Sequence, residues 1–163
     1  MFPPISAFVF GVPVGQPRPR ARRFKDRVII YDPKTAKPWR EAVANTLREM
    51  VDSPLEGPLE LTMTFAFPRP KSHYGTGKNS DRIKGSSPIY HTQKPDIDNV
   101  LKSSLDAMND VLFEDDRQVV QVNAQKTWAD LPDLAGLALQ VESLLHPEEG
   151  SDPRCVEQCA SES

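Results

Sequence analysis

Sixteen prolines are spread through 163 residues, about twice the usual ~5%. Each fixes φ and removes a backbone donor, so a bundle of long helices cannot be built from this chain. Turns, loops and edge strands must be frequent. Hydrophobic residues make up 38% and charged residues 26%, enough for the core of one domain of ordinary size. No apolar run approaches the ~20 residues of a membrane-spanning helix, and no membrane partner is expected. The opening MFPPISAFVFGVP carries no Lys or Arg, so no signal peptide is expected and the expected location is the cytoplasm. Cys155 and Cys159 fall within the last nine residues, from where no disulfide framework or cysteine zinc site can organise a core.

Between the prolines, hydrophobic periodicity sets the elements. Residues 59–67, LELTMTFAF, alternate Leu59, Leu61, Met63, Phe65 and Phe67 against smaller or polar residues, the period of a half-buried strand. Trp39, Val43, Leu47 and Met50 recur on one helical face and predict a helix over 35–50. Leu101, Leu105, Met108 and Leu112 predict a second over 98–112. Strands are expected at 5–12 (apolar on both faces and therefore central), 27–31, 117–128 and 137–145. The proline-rich run 15–23 and the Pro/Gly/Ser/Lys-rich stretch 68–93 read as loops, the second long enough to be functional or mobile. The expected fold is α+β, a mixed sheet with two main helices in the order ββαβαββ. It forms one domain over residues 1–145, followed by an acidic, disordered tail over 146–163.

The net charge is −3, which by itself argues against a polyanionic partner. The charges are segregated, however. Residues 1–48 carry ten Lys/Arg against three Asp/Glu, and residues 69–94 carry six against one. Residues 95–145 carry ten acids against three bases. Local patches, not the total, set the field that a phosphate backbone meets.

The acidic segment contains the sharpest feature, Lys94-Pro-Asp96-Ile-Asp98-Asn99-Val-Leu-Lys102, followed by Asp115-Asp116-Arg-Gln118. Pro95 favours an extended approach, in which Asp96 and Asp98 lie on one side of the chain. Asp98 then suits the N-cap, and Lys102 stands one turn on. Each residue also has a plain structural use: Asp98 as a cap, Asp96 and the Asp115-Asp116 pair as turn residues, Lys102 as an ion-pair partner of Asp106. A helix that returns into a packed strand can bring Asp115-Asp116 back toward Asp96 and Asp98. Three or four converging carboxylates require a cation, and hard oxygen donors suit Mg²⁺ or Mn²⁺. An EF-hand is excluded, because its sixth and twelfth positions would be Leu101 and Ala107.

These residues resemble the RusA family of Holliday junction resolvases, often carried by phages and prophages. The resemblance rests on K-P-D-I-D-N at 94–99, Lys102, L-D-A-M at 105–108 and E-D-D-R-Q-V at 114–119. It extends more weakly to G-x-P-V-G-Q-P-R-P-R at 11–20 and Y-D-P…W-R at 31–40, and covers about residues 10–145. It implies a homodimeric, Mg²⁺-dependent endonuclease (Mn²⁺ as the alternative ion) acting on branched DNA, above all four-way junctions, in recombination and repair. The setting would be the cytoplasm of a bacterial or phage-infected cell. It also implies catalytic and metal-binding roles for Asp96, Asp98 and Asp116, with Asp115 as the alternative ligand, and a catalytic role for Lys102. With a reference pKa of ~10.4, a lysine is a better electrostatic partner of the scissile phosphate than a base. Arg18, Arg20, Arg22, Arg23, Lys71 and Lys94 then form the DNA-binding surface, and Tyr74 and Tyr90 are candidates to stack on unpaired bases. Two rival functions share these residues: a less selective nuclease of branched DNA, and a non-catalytic DNA-binding scaffold.

Overall fold

The computed structural model describes residues 3–17, 20–24, 27–31 and 34–144. Arg18, the tail 146–163, Cys155 and Cys159 lie outside the described residues.

The elements run β1 (Ile5–Phe10), β2 (Arg20–Phe24), β3 (Arg27–Tyr31), α1 (Lys37–Arg48), β4 (Leu59–Phe67), α2 (Ile97–Met108), β5 (Val119–Trp128) and β6 (Gly136–Ser143). The fold is α+β with a mixed four-stranded sheet in the order β1-β6-β4-β5 and two main helices. β6 is antiparallel to both of its neighbours, with Val9 opposite Leu137 and Met63 opposite Leu139. β4 and β5 are parallel, Leu61 beside Val122 and Phe67 beside Trp128.

The alternation read in β4 holds: Leu59, Leu61, Met63, Phe65 and Phe67 are all buried. They join Val9, Leu137, Leu139 and Val141 from the flanking strands. Trp39, Val43 and Leu47 of α1 and Val100 and Met108 of α2 complete one core. Both helices therefore cover the same face of the sheet. The other face carries Thr62, Gln121, Asn123, Gln125, Gln140 and Glu142, all exposed, and Gln121 and Asn123 donate to Glu60 Oε1 across the strands. The helices are tied by a buried bond from Trp39 Nε1 to Ser104 Oγ at 3.2 Å. Arg40 adds an ion pair to Asp106 at 3.1 Å and a bond to Gln16 Oε1. Where β6 begins, a Cβ on Gly136 would stand 2.2 Å from the Val9 carbonyl, so only glycine lets the two strands approach there.

Several expectations are corrected. β1 is an edge strand, paired only with β6 among the described residues, and it ends at Phe10 because Gly11 takes φ 128°. Its outward apolar residues, Phe8 and Phe10, pack edge to face instead of entering a second core. The run 15–23 is not all loop. Pro19 is the last proline of that run, every residue of Arg20–Phe24 can donate to a ladder, and β2 pairs antiparallel with β3. The order is thus βββαβαββ, one strand more than expected. Met50 lies beyond α1 and is exposed. Leu112 is buried but follows α2, which ends at Met108. No described helix is long and apolar enough to cross a membrane.

The start of β5 is fixed by a single side chain. Gln118 Oε1 accepts from the Glu114 and Asp115 amides, and its Nε2 donates to the Leu55 and Gly57 carbonyls at 2.9 and 3.2 Å. The 3-10 turn Asp116–Gln118 is thereby pinned to the segment leading into β4. Gln118→Ala should lower the free energy of unfolding by about 1–3 kcal/mol, since it strands several backbone groups at once. Urea titration reads this directly, and an unchanged midpoint would show that the turn holds without Gln118.

Candidate active site

α2 begins one residue earlier than the sequence predicts. Its N-cap is Asp96, in extended geometry (φ −68°, ψ 151°) with no side-chain capping bond, and Asp98 sits in the first turn. Neither carboxylate is consumed by capping: both are exposed and neither has a hydrogen bond or ion pair among the described residues. The helix N-terminus stabilises their negative charge. Lys102, one turn on, is exposed and free of ion pairs among the described residues. The structural use weighed for it fails, because Asp106 pairs with Arg40 instead.

Two backbone contacts hold this helix end. Gly15 packs against it, where an added Cβ would lie 3.0 Å from Pro95 and 3.2 Å from Asn99, and the Gln16 amide donates to the Asn99 carbonyl at 2.9 Å. From the other side, Lys126 near the end of β5 donates its ammonium to the carbonyls of Gln93 and Pro95 at 2.7 and 2.6 Å. Gly15, Gln16, Lys94, Pro95, Asp96 and Asn99 line an open cleft.

The second acidic pair lies elsewhere. Asp115 caps the turn that starts β5: its Oδ1 accepts from the Arg117 amide at 3.0 Å, and Gln118 closes the capping box. Asp116, by contrast, is exposed and unpartnered among the described residues. Of the two, Asp116 is the carboxylate left free for chemistry. The pattern Asp-x-x-Gln before a strand was a legible sign that Asp115 is a cap.

The expected convergence within one chain does not occur. Among the described residues no three His, Cys, Asp or Glu side chains stand close enough together to hold a metal ion. α2 crosses between two parallel strands and runs opposite to both. Its N-terminus is anchored beside Lys126, and its C-terminal end leads through Leu112, whose carbonyl accepts from the Leu55 amide. Twelve helical residues span ~18 Å. The Asp96–Asp98 and Asp115–Asp116 pairs thus stand at opposite ends, on the order of 15 Å apart.

The basic residues divide as well. Arg23, Lys71 and Lys94 are exposed, and the backbones of Arg20 and Arg22 lie in β2. Arg69 and Lys84 instead stitch the 68–93 segment to backbone carbonyls of Ala129, Pro88 and Ser72. That segment is ordered by short 3-10 turns and by bonds such as Gly75 N to Arg82 O at 2.8 Å. Tyr90 is exposed, whereas Tyr74 is half-buried. The segment ends at His91, which is buried, stacked on Phe67 at 4.0 Å and tilted against Trp128 at 4.4 Å. Burial, reinforced by the nearby charge of Lys126, holds the His91 pKa below its ordinary 6.5, so the ring is neutral at pH 7.

The sequence reading missed Lys126 and His91, and saw Gln118 only as part of the motif, because their bonds arise from long-range packing. Comparison with known proteins matches residues 11–136 to the family described as Endodeoxyribonuclease RusA. The chain is also 30% identical over 129 residues to the Uncharacterized protein YqaN of Bacillus subtilis (strain 168), an alignment covering 78% of this chain and 90% of that one.

Lys126→Met keeps the aliphatic stem and removes both bonds to the approach of α2. Amide exchange at Val100, whose N–H donates to the Asp96 carbonyl, should accelerate about tenfold or more, as expected for the loss of a charged bond worth ~1.5–3 kcal/mol. Exchange at Leu61 in β4 should change far less. Unaltered protection at Val100 would show that Lys126 does not position the helix end.

Proposed function

The chain belongs to the RusA family of endodeoxyribonucleases, and from that premise we propose that it is a metal-dependent, structure-selective nuclease. On this reading it resolves four-way DNA junctions by paired nicks during recombination and repair. One observation carries the reading. Of the carboxylates in D-x-D-N, in D-D-x-Q and within α2 itself, Asp106 and Asp115 are engaged by Arg40 and by the Arg117 amide, while Asp96, Asp98 and Asp116 are exposed and unpartnered among the described residues.

The donor chemistry fits Mg²⁺ or Mn²⁺, which take carboxylate oxygens and keep positions for water and substrate phosphate. Asp96 and Asp98 would hold the ion at one helix end. Asp116 of the same chain is too distant to join them, so the third carboxylate would be Asp116 of the partner subunit. A two-fold dimer places two such sites symmetrically, as a four-way junction requires for nicks in opposed strands. When bound, the cation supplies Lewis-acid polarisation of the scissile phosphate. Lys102 adds a fixed positive charge to the same phosphate. Arg23, Lys71 and Lys94, with Arg18, Arg20 and Arg22, neutralise the flanking backbone.

The test is nicking in Mg²⁺ of a synthetic four-way junction, a flap and a linear duplex. The junction alone should be cut, at paired positions. Asp96→Asn, Asp98→Asn and Asp116→Asn should each lower the rate at least about a hundredfold while junction binding persists. Asp115→Asn, which keeps an oxygen to cap the turn, should stay within a few-fold of wild type. Equal cutting of the flap would support a less selective nuclease. Binding without nicking by the wild-type protein would support a scaffold.

A further inference from the structure

Residues 12–17 lead from β1 toward the basic strand β2 without helix or strand structure of their own. Among the described residues this loop is held by two hydrogen bonds, both at Gln16. The Gln16 amide donates to the Asn99 carbonyl in the first turn of α2, at 2.9 Å. Its Oε1 accepts from Arg40 Nη2. The same Nη2 donates to Asp106 Oδ2 at 3.1 Å, one hydrogen for each acceptor. Resting on the nuclease reading above, we propose that Arg40 is a positioning residue of the candidate site. By gripping Gln16 it fixes the loop that holds the first turn of α2, and with it the backbone that carries Asp96 and Asp98.

Three observations favour this role over a plain tie between helices. The helix pair does not depend on Arg40, because the buried bond from Trp39 to Ser104 and the packing of Val43, Leu47, Val100 and Met108 already join α1 to α2. The Arg40 and Asp106 side chains are 33% and 30% exposed, and an ion pair so open to water contributes little by itself. A bond that restrains a loop has more to restrain. Finally, the loop is packed only as far as Gly15: Pro13 is buried, Val14 lies against the core and Gly15 lies against Pro95 and Asn99. Beyond that point Gln16 and Pro17 border an open groove of about 750 Å³, which Arg40 and Asp106 also line. On that side Gln16 is held by bonds rather than by packing, and Arg40 supplies the one made to its side chain.

Hydrogen exchange at the Gln16 amide reads the tether directly in metal-free protein. The Mg²⁺ concentration that gives half-maximal nicking of a four-way junction reads its effect on the carboxylates. Arg40→Met and Gln16→Met each remove the side-chain bond and leave the Gln16 amide in place. Each should accelerate exchange at Gln16 about tenfold, as expected for the loss of a charged bond, with far less change at Leu61. Each should also raise the half-maximal Mg²⁺ concentration about tenfold, as when a group supporting a metal ligand is lost. The double variant should do little more than either single one, since both remove the same bond. Asp106→Asn removes the ion pair and keeps the grip on Gln16. It should stay within a few-fold of wild type in both measurements, whatever it does to the melting temperature.

Unchanged exchange at Gln16 in Arg40→Met overturns the proposal. So does an Asp106→Asn variant that reproduces the effects of Arg40→Met, because Arg40 would then act through the helix pair alone. Faster exchange with an unmoved Mg²⁺ dependence overturns it too, since the tether would not reach the carboxylates. A wild-type protein that cuts no junction, with exchange responding as stated, overturns the nuclease reading and leaves the tether standing.

Discussion

The parallel pairing of β4 with β5 decides where the chemistry can be. Parallel neighbours cannot be joined by a tight turn, so the chain must leave the end of β4, cross the sheet and return to the start of β5. α2 is that crossing, packed on the sheet through Val100 and Met108. Its N-terminus is therefore delivered to the outgoing edge of the two strands, where open sheets with parallel strands commonly bind ligands. Its C-terminus is delivered to the opposite edge. Asp96 and Asp98 fall at the first, and Asp115 and Asp116 at the second.

What makes Asp96 and Asp98 available is the work done by their surroundings. The Asp96 backbone caps α2 while its side chain does not. Gly15 and Gln16 press the N-terminal loop onto Asn99 from one side, and Lys126 grips the approach from the other. A comparable division holds at the far edge, where Asp115 and Gln118 build the turn and leave Asp116 unengaged. Carboxylates on a backbone held by other groups, and themselves unpaired, suit a cation better than carboxylates that must first break bonds. The backbone carbonyl of the same Lys126 accepts from the His91 amide at 3.3 Å.

Features governed by local period were legible. β3 and β4 have the bounds their sequences predict, and the apolar faces of both helices were recognisable because 3.6-residue and two-residue spacing follow from backbone geometry alone. β2 was missed because proline up to residue 19 masked a run of ordinary donors beyond it. The N-cap was misplaced by two residues because Asp96 and Asp98 are both good caps, and only packing around Gly15 and Lys126 distinguishes them. The carboxylate identities were readable from D-x-D-N and D-D-x-Q, but their mutual placement was not. Whether a strand following a helix starts near that helix's beginning or its end depends on which strands are neighbours, and strand order is a long-range property. The family match over residues 11–136 supports the nuclease assignment without altering that geometry.

The central claim is that one cation site draws Asp96 and Asp98 from one subunit and Asp116 from another. It is tested by mixing two inactive variants, Asp98→Asn and Asp116→Asn, after unfolding and refolding them together. A composite site predicts that each mixed dimer regains one intact site, so nicking of a four-way junction returns to a substantial fraction of the wild-type rate, now one strand at a time. Sites built within single chains predict that every site in the mixture carries a lesion, and a mixture as inactive as its components, with mixed dimers shown to form, would contradict the account.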